Sequence, residues 1–433
     1  MSGAGIVIVG AGEAGARAAI TLRGEGYAGP LSLIGEERHA PYERPPLSKA
    51  TIVGQTAPAI PAIGDAVGLA DLGVEHVRGL AVVSIDRAAR RVTLSDRRTF
   101  AYGKLLLATG ARPRRLSIDG AQSAAYLRNF DDAIALRDRF ASGGRIAIVG
   151  GGFIGLELAS SACAVGCAAT VIEAAPRILM RGVPSAIADI LAQRHRAAGV
   201  RIVADAAITG VTRAGNAYSI ALANGRAIEA DCLIAGIGAA PEVALAAAAG
   251  LSIDNGVAVD GQLRTSDPHI YAAGDCASFP HPLYQGRRIR LEAWRNAFDQ
   301  GAFVARSMLG ATDAYQAAPW FWSDQHDLTL QIAGLVDEGR ETVARDLGEG
   351  ALLLFHLTDE GRLAAASGVG PLGKIGREIR IAEMLIAKRA RPDRRALAAP
   401  EVKLKSLLTE SDQRRGDASA PAVDDATQIL RPA

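Results

Sequence analysis

Cysteine is scarce in this sequence, with only four residues in a chain of 433. Cys163, Cys167, Cys232 and Cys276 are scattered, and their spacing matches neither a disulfide framework nor a zinc-binding pattern. This excludes a small secreted fold held together by disulfides, and no other metal-ligand cluster stands out. Unpaired thiols are typical of a reducing compartment, so we expect a cytoplasmic protein without a metal site.

The sequence also lacks an excess of charge of either sign. Its 48 basic and 46 acidic residues leave a net charge of +2, so the long-range field gives no general reason to expect nucleic-acid or membrane binding. No basic segment precedes the first apolar run, unlike a secretory signal. The weakly charged stretch from Ile146 to Ile172 contains Glu157 and several glycines, so we do not expect it to span a membrane.

A glycine-rich turn occurs twice, each time after a short apolar run and before a helical pattern. The runs are Ile6 to Val9 and Ile146 to Val149, and the turns that follow read G-A-G-E-A-G and G-G-G-F-I-G. In this motif the first glycine forms the turn, the second lets a pyrophosphate approach the backbone, and the third packs helix on strand. A single such motif also occurs as a purely structural turn. Two in matching βαβ contexts predict two dinucleotide sites.

An acidic residue closes each βαβ unit, Glu36 in the first and Glu173 in the second. A carboxylate about 20 residues beyond the glycines is placed to accept hydrogen bonds from ribose hydroxyls. Glu173 would also repel a 2′-phosphate, which favours NADH over NADPH. Arg177 leaves an alternative open, because an arginine there either binds such a phosphate or is an ordinary solvated loop cation.

Three further apolar runs that end in glycine turns predict how the chain is divided. They end at Gly110, Gly238 and Gly274. After Pro319 the glycine turns give way to a different pattern of apolar residues. We predict an α/β fold with two Rossmann-like dinucleotide-binding domains and a C-terminal α+β domain. The predicted bounds are 1–110 with 241–318, 111–240, and 319–408, and the polar segment 409–433 is predicted to be a disordered tail.

Four segments, together with the paired turns, resemble a known family. They read P-Y-E-R-P-P-L-S-K from Pro41, A-T-G from Ala108, G-D-C-A from Gly274 and P-W-F-W-S-D-Q from Pro319. Over roughly residues 5–405 the chain resembles the FAD-dependent ferredoxin, putidaredoxin and rubredoxin reductases, which have a glutathione-reductase-like fold. The resemblance implies FAD at the first site, NADH at the second, and a C-terminal domain that covers the flavin.

The resemblance also implies cofactor contacts. Val82 would meet adenine through its backbone, Asp275 would bind the ribityl chain, and Phe153 with Ile154 would control nicotinamide entry. The residues implied at the FAD site are Gly10, Gly12, Ala14, Gly15, Glu36, Arg44, Lys49, Val82, Ala108, Thr109, Gly110, Arg128, Gly274, Asp275, Glu292, Ala293, Trp294 and Trp320. Those implied at the NADH site are Gly150, Gly152, Phe153, Ile154, Gly155, Glu173 and Gly238.

The resemblance assigns catalysis to Lys49 and Glu157, paired beside the reactive part of the flavin. The alternatives are an ordinary helix-surface carboxylate for Glu157 and plain core packing for Trp294 and Trp320. Hydride transfer itself needs no strong acid or nucleophile, because the cofactors carry the reactivity. The absence of a catalytic triad from the sequence is therefore compatible with a hydride-transferring enzyme.

The segment from Pro41 to Ala50, where thiol-dependent members of the superfamily place a redox cysteine, contains none. We therefore expect single electrons to leave for a small acidic [2Fe-2S] ferredoxin, or a rubredoxin, that serves a Rieske-type dioxygenase or a haem-thiolate monooxygenase. Six basic residues could dock such an acidic partner or could be ordinary solvated side chains. They are Arg287, Arg288, Arg290, Lys374, Arg377 and Arg380. An NADH-responsive flavoprotein like the apoptosis-inducing factors and an NADH oxidase are the alternatives, and the chain is expected to be a monomer or a homodimer.

Overall fold

The computed structural model describes residues 4–63, 68–215 and 217–408. It contains two parallel sheets with flanking helices and a C-terminal antiparallel sheet, so the predicted α/β fold class is confirmed. The tail predicted for residues 409–433 lies outside the described residues. No helix within the described ranges is long and apolar enough to cross a membrane.

The first sheet has five parallel strands, and its apolar residues are buried on both faces as such sheets require. The helices Glu13–Gly24 and Trp294–Leu309 pack against each other beside it. Its last strand returns after the second unit is complete, which makes the first unit discontinuous in sequence. In spatial order the strands are Ile270–Ala272, Lys104–Leu107, Ile6–Val9, Leu31–Gly35 and Glu75–Arg78.

The second unit repeats this plan with a four-stranded parallel sheet. Its strands are Arg201–Val203, Ala168–Ile172, Arg145–Val149 and Cys232–Ala235 in spatial order. Its helices are Phe130–Ala141, Phe153–Ala164 and Ser185–Ala197. The chain enters through Ala111–Pro113 and leaves through Ala239–Pro241, and these two strands pair antiparallel. The predicted domain bounds remain a proposal, which this pairing supports.

The remaining short elements form small antiparallel or mixed sheets and single helical turns. They are the strands Val82–Asp86, Arg91–Leu94, Thr99–Ala101, Ile208–Ala214, Ala217–Leu222, Ala227–Ala230, Val257–Ala258, Ala277–His281 and Arg287–Ile289, and the helices Ala50–Val53 and Ala244–Ala248.

The C-terminal unit is a five-stranded antiparallel sheet with the helix Gly376–Ala387 packed against it. In spatial order the strands are Trp320–Gln325, Leu328–Gly334, Leu363–Pro371, Leu352–Leu357 and Glu341–Asp346. Two short helical segments follow, Arg394–Ala398 and residues 404–408. Phe321 lines the same cleft as both glycine turns, so this unit meets the other two where its first strand begins.

A buried histidine in this C-terminal sheet gives the first prediction. His356 is 3% exposed and shares hydrogen bonds with Ser367 at 2.8 Å and Thr342 at 3.2 Å. Burial lowers the pKa of His356 from 6.5 to about 4. The unfolded chain therefore binds a proton between these values that the folded chain does not, and stability is lost as the pH falls through this window.

We expect the free energy of unfolding to drop between pH 7 and pH 5 by about 2 kcal/mol more in the wild type than in His356→Gln. Urea denaturation followed by tryptophan fluorescence at the two pH values measures this difference. Equal drops in the two proteins would show that His356 does not set the acid limit.

Candidate active site

The two glycine turns open into one cleft of about 2060 Å³. Both predicted catalytic residues, Lys49 and Glu157, line it. Every residue predicted to contact a cofactor also lines it except Gly15, Gly155 and Trp320. The structure therefore gathers residues from all parts of the described chain around one space.

The first turn shows why three glycines are needed. Gly10 has a φ of +108°, and a Cβ there would lie 2.1 Å from the carbonyl oxygen of Ala108. A Cβ on Gly15 would lie 1.9 Å from the Gly10 oxygen, so both positions are closed by the protein itself. Gly12 is different, because its φ of −79° suits any residue and no described atom lies within 4 Å of its Cβ position. A bound group close to the backbone explains the absence of a side chain at Gly12.

The second turn repeats this geometry. Gly150 has a φ of +107° and its Cβ would lie 2.4 Å from the Gly236 oxygen, while a Cβ on Gly155 would lie 2.1 Å from the Gly150 oxygen. Gly152 again has an ordinary φ of −84°, with its nearest neighbour 3.9 Å away. Each turn thus leaves one glycine facing open cleft, as a pyrophosphate would require.

Three helices begin at the cleft without a side-chain cap. They are Glu13–Gly24, Phe153–Ala164 and Trp294–Leu309, and their N-caps are Gly12, Gly152 and Ala293. An uncapped N-terminus leaves backbone N–H groups free, and the helix dipole adds positive partial charge. The first two ends suit phosphate groups. The third would stabilise negative charge on a flavin ring.

The two predicted ribose carboxylates differ in their surroundings. Glu36 is exposed in the cleft and forms no hydrogen bond with any described residue. Glu173 accepts hydrogen bonds from the backbone N–H groups of Gly151 at 2.6 Å and Ala175 at 2.8 Å. These contacts hold Glu173 against the second turn. An ionised carboxylate can accept about four hydrogen bonds, so Glu173 keeps capacity for ribose.

Arg177 was expected either to bind a 2′-phosphate or to be a solvated loop cation, and the structure favours neither. Its guanidinium donates to the carbonyl groups of Ile178 and Leu179 at 3.1 Å and of Val183 at 3.0 Å. Three of its five N–H donors are therefore occupied by backbone carbonyl groups, which ties Arg177 to its own loop and leaves fewer donors for a 2′-phosphate. This arrangement favours NADH, as the sequence predicts.

Several predicted FAD contacts face one another across the first site. Arg128 donates to Asp275 at 3.0 Å, so the carboxylate predicted to bind the ribityl chain already has one cationic partner. Arg44 pairs with Glu37 at 2.6 Å. Thr109 donates to the carbonyl group of Glu242 at 2.7 Å. These contacts orient the wall of the cleft before any cofactor is considered.

Lys49 and Glu157 form the predicted ion pair, with Lys49 Nζ 2.8 Å from Glu157 Oε2. Glu157 is only 5% exposed, so the alternative of a helix-surface carboxylate is wrong. Ser48 donates to the same oxygen at 2.5 Å, and Ser323 donates to Oε1 at 2.6 Å. Sequence reasoning missed both serines, although each belongs to a segment that carries the family resemblance. The catalytic role of the pair remains a prediction.

The aromatic wall corrects one expected contact. Trp322 lines the cleft, whereas Trp320 stacks behind it with ring centroids 5.2 Å apart. Residues two apart on a strand share a face, so only the nearer ring reaches the cleft. Trp294 meets Trp322 edge to face at 5.9 Å, and Phe153 meets Phe321 at 4.9 Å.

Among the described residues, no cysteine lines the cleft. Cys276 comes closest in sequence to a predicted contact, but it is fully buried and its thiol points to the carbonyl group of Ala273 at 3.4 Å. Burial raises the pKa of all four thiols, which makes them poor nucleophiles. Across the described ranges, no group of three or more possible metal-binding side chains is found.

Comparison with protein families agrees with this geometry. The pyridine nucleotide-disulphide oxidoreductase model matches residues 4–301, and the reductase C-terminal model matches residues 320–408. The chain belongs to the pyridine nucleotide-disulphide oxidoreductase family. Members of this family use FAD and NAD(H), and the open positions at Gly12 and Gly152 with their uncapped helices fit these cofactors.

Individual relatives match over most of the chain. The ferredoxin–NAD(+) reductase component of an anthranilate 1,2-dioxygenase system from Burkholderia cepacia is 41% identical, over 94% of this chain and 100% of the relative. A rubredoxin–NAD(+) reductase from Pseudomonas putida is 42% identical over 77% of this chain and 87% of the relative. The reductase in a covalent putidaredoxin reductase–putidaredoxin complex superposes with a TM-score of 0.88 at 33% identity, over 95% of this chain and 100% of that chain.

The open position at Gly12 gives a prediction for FAD binding. We expect Gly12→Ala to fold normally, because the added methyl group meets no protein atom, but to weaken FAD binding by about tenfold to a hundredfold through overpacking. Flavin retention and the dissociation constant measure this loss. Gly24→Ala is the matched control, since its methyl group also enters open space but at the far end of the same helix. Equal FAD affinity in both variants would contradict the assignment.

The ion pair gives a second prediction at this site. We expect Lys49→Met to destabilise the protein by about 3 kcal/mol or more, because it leaves the Glu157 carboxylate buried without its cation. Flavin reduction by NADH should also slow. The double variant Lys49→Met/Glu157→Gln should recover stability but not rate. Thermal unfolding and anaerobic stopped-flow absorbance separate the two effects, and full recovery of both would mean that the pair is only structural.

Proposed function

We propose that this chain is an NADH:ferredoxin reductase. It transfers a hydride from NADH to FAD and then passes single electrons to a [2Fe-2S] ferredoxin, or a rubredoxin, that serves an oxygenase. The observation that carries this proposal is a single cleft that joins both nucleotide turns around the Lys49–Glu157 pair, with no cysteine from the described residues in its wall. The names of the relatives, which include ferredoxin and rubredoxin reductases of oxygenase systems, support the same acceptor class.

When bound, FAD supplies both steps, since it accepts two electrons together and releases them one at a time. The protein's part is to bind and orient. The glycine turns and the first two uncapped helices would hold the phosphates, and the helix that begins at Trp294 would offer its positive end to bound FAD. Glu157 holds Lys49 beside the cleft, where the lysine charge would stabilise negative charge on the bound cofactor. The cleft wall offers no thiol among the described residues to divert the electrons.

Neighbouring acidic residues weaken most of the proposed docking cations. Arg287 pairs with Asp337 and Glu338, and Arg288 pairs with Asp254. The other pairs are Arg290 with Glu292, Lys374 with Glu349 and Arg380 with Glu383. Arg377 is exposed and has no ion-pair partner among the described residues.

Arg377 is therefore the clearest cation with which to test docking. It lies on the helix whose Glu383 reaches Arg295, next to Trp294 at the cleft. An acidic partner that approaches this edge of the cleft would meet Arg377 without first breaking an ion pair. The reducing compartment suggested by the four free thiols makes the cytoplasm the proposed location.

A titration of the flavin-loaded protein with NADH, without oxygen, tests the proposed function. Bleaching of the flavin absorbance, followed by reduction of added oxidised [2Fe-2S] ferredoxin, is the expected result. A flavin that bleached but passed no electrons to either ferredoxin or rubredoxin would overturn the acceptor assignment. It would favour a protein that responds to NADH without passing electrons on.

Arg377→Glu should raise the KM for ferredoxin several-fold at low salt, because the reversed charge repels an acidic partner, and the effect should fade at high salt. Flavin reduction by NADH should not change. Arg395→Glu is the matched control, since Arg395 is also exposed, has no ion-pair partner among the described residues and lies beyond the other end of the same helix. Steady-state assays at two ionic strengths measure both variants. Equal KM values would show that the partner docks elsewhere.

A further inference from the structure

A line of hydrogen bonds runs from the catalytic ion pair to the protein surface. Ser323 donates to Glu157, and Gln325 Nε2 donates to Ser323 Oγ at 3.0 Å. Gln325 Oε1 lies 2.9 Å from His195 Nε2, and His195 Nδ1 lies 3.1 Å from His326 Nε2. Ser323, Gln325 and His195 are fully buried, and His326 is half-buried at a turn. We call Ser323, Gln325, His195 and His326 the relay segment.

The donor and acceptor groups at each hydrogen bond fix the direction in which the bonds of the relay segment run. An amide oxygen only accepts, so His195 must carry its proton on Nε2. In a neutral imidazole the other nitrogen, Nδ1, then accepts, and His326 must donate from its own Nε2. The Gln325 N–H group occupies an acceptor position of the Ser323 oxygen, so the serine hydroxyl is left to donate to Glu157. Every donor in the line therefore points toward the carboxylate.

The surroundings keep both imidazoles neutral. Burial lowers the pKa of His195, and burial together with His195 and Arg194 lowers the pKa of His326 to about 4. Arg194 and Asp327 are the charged neighbours at the surface end, and they pair with each other. The backbone N–H of His326 also donates to Ser160 at 2.7 Å, which ties the turn to the helix that carries Glu157.

Reversal of the line would change the charge balance at the catalytic pair. If the Gln325 amide turned over, its oxygen would face Ser323, and the serine hydroxyl would donate to it rather than to Glu157. The carboxylate would lose one of its three donors and hold Lys49 more strongly. The tautomers of two histidines far from the cleft thus decide how many hydrogen bonds Glu157 receives.

We propose that Gln325, His195 and His326 are positioning residues that act on the Lys49–Glu157 pair through Ser323. They hold the serine hydroxyl in the orientation that donates to Glu157, and so set the position and charge that Lys49 presents to the cleft. This inference rests on the proposed function, because it assumes that the pair assists hydride transfer.

The first test is nitrogen NMR of the histidine rings in the flavin-loaded protein at pH 7.5. Both His195 and His326 should be neutral with the proton on Nε2. In His326→Asn, His195 should show a mixture of tautomers, because without the donor at Nδ1 the Gln325 amide can turn over and His195 can then carry its proton on Nδ1. Asn tolerates the positive φ of 56° at this position but is too short to reach His195. A proton on Nδ1 of His195 in the wild type would overturn the proposal.

The second test measures the rate constant for flavin reduction by NADH in a single turnover. Ser323→Ala should slow it by about tenfold, the value of a hydrogen bond to a charged group, and Gln325→Leu should slow it in the same direction, in both cases without changing the dissociation constant of NADH. His326→Asn should slow it in the same direction. Asp324→Asn is the matched control, since Asp324 lies between these residues on the opposite strand face and has no hydrogen bond to a described residue.

The outcomes separate this inference from the proposed function. If Lys49→Met slows hydride transfer but Gln325→Leu and His326→Asn do not, the positioning role is wrong and the catalytic pair stands. If Lys49→Met leaves the rate unchanged, the catalytic role of the Lys49–Glu157 pair is wrong, and the positioning role that rests on it is wrong as well. His326→Asn keeps the test available if Gln325→Leu does not fold, because the turn that holds His326 is at the surface.

Discussion

The buried carboxylate of Glu157 is the constraint on which the rest of the cleft depends. A charge that is 5% exposed must be paired and hydrogen-bonded, and Glu157, on a helix of the second unit, draws its partners from both other units. Lys49 and Ser48 come from the first unit, and Ser323 comes from the C-terminal sheet. One turn along the helix, Ser161 donates to the Ser48 carbonyl group at 2.6 Å. The contacts of this one charge therefore link all three units at the cleft.

The cleft also explains features that would be faults in a protein with nothing to bind. Two glycines occupy positions where any residue fits, and three of the helices without a side-chain cap begin at the cleft. Each costs stability, since a glycine adds chain entropy to the unfolded state and an uncapped helix leaves N–H groups without partners. A nucleotide supplies what these positions lack. The local defects and the binding site have the same cause.

The net charge of the chain says little about how it would recognise a charged partner. The near balance of basic and acidic residues arises from many local ion pairs, and five of the six cations proposed for docking have an acidic neighbour. Arg177 is likewise consumed by backbone carbonyl groups rather than by a phosphate. On the proposed function, a redox partner would therefore be recognised by an unpaired cation such as Arg377 and not by a broad positive field.

The sequence by itself determined the paired nucleotide turns, the strands and helices around them, and the class of cofactors. These depend on local properties, namely apolar periodicity, the φ values that only glycine adopts readily, and a carboxylate at a set distance along one βαβ unit. The apolar runs Ile6 to Val9 and Ile146 to Val149 are thus found in the strands Ile6–Val9 and Arg145–Val149. The family resemblance added the pairing of Lys49 with Glu157, which no local pattern contains.

Only the tertiary structure decided which side chains surround that pair. The serines that bind Glu157, the choice of Trp322 over Trp320 at the wall, and the line from Gln325 to His195 all join elements far apart in sequence. Hydrogen bonds and ring stacking act over a few ångströms, so they depend on how elements pack and not on spacing along the chain. The orientation of the site is therefore a property of the fold, while its chemical class is a property of the sequence.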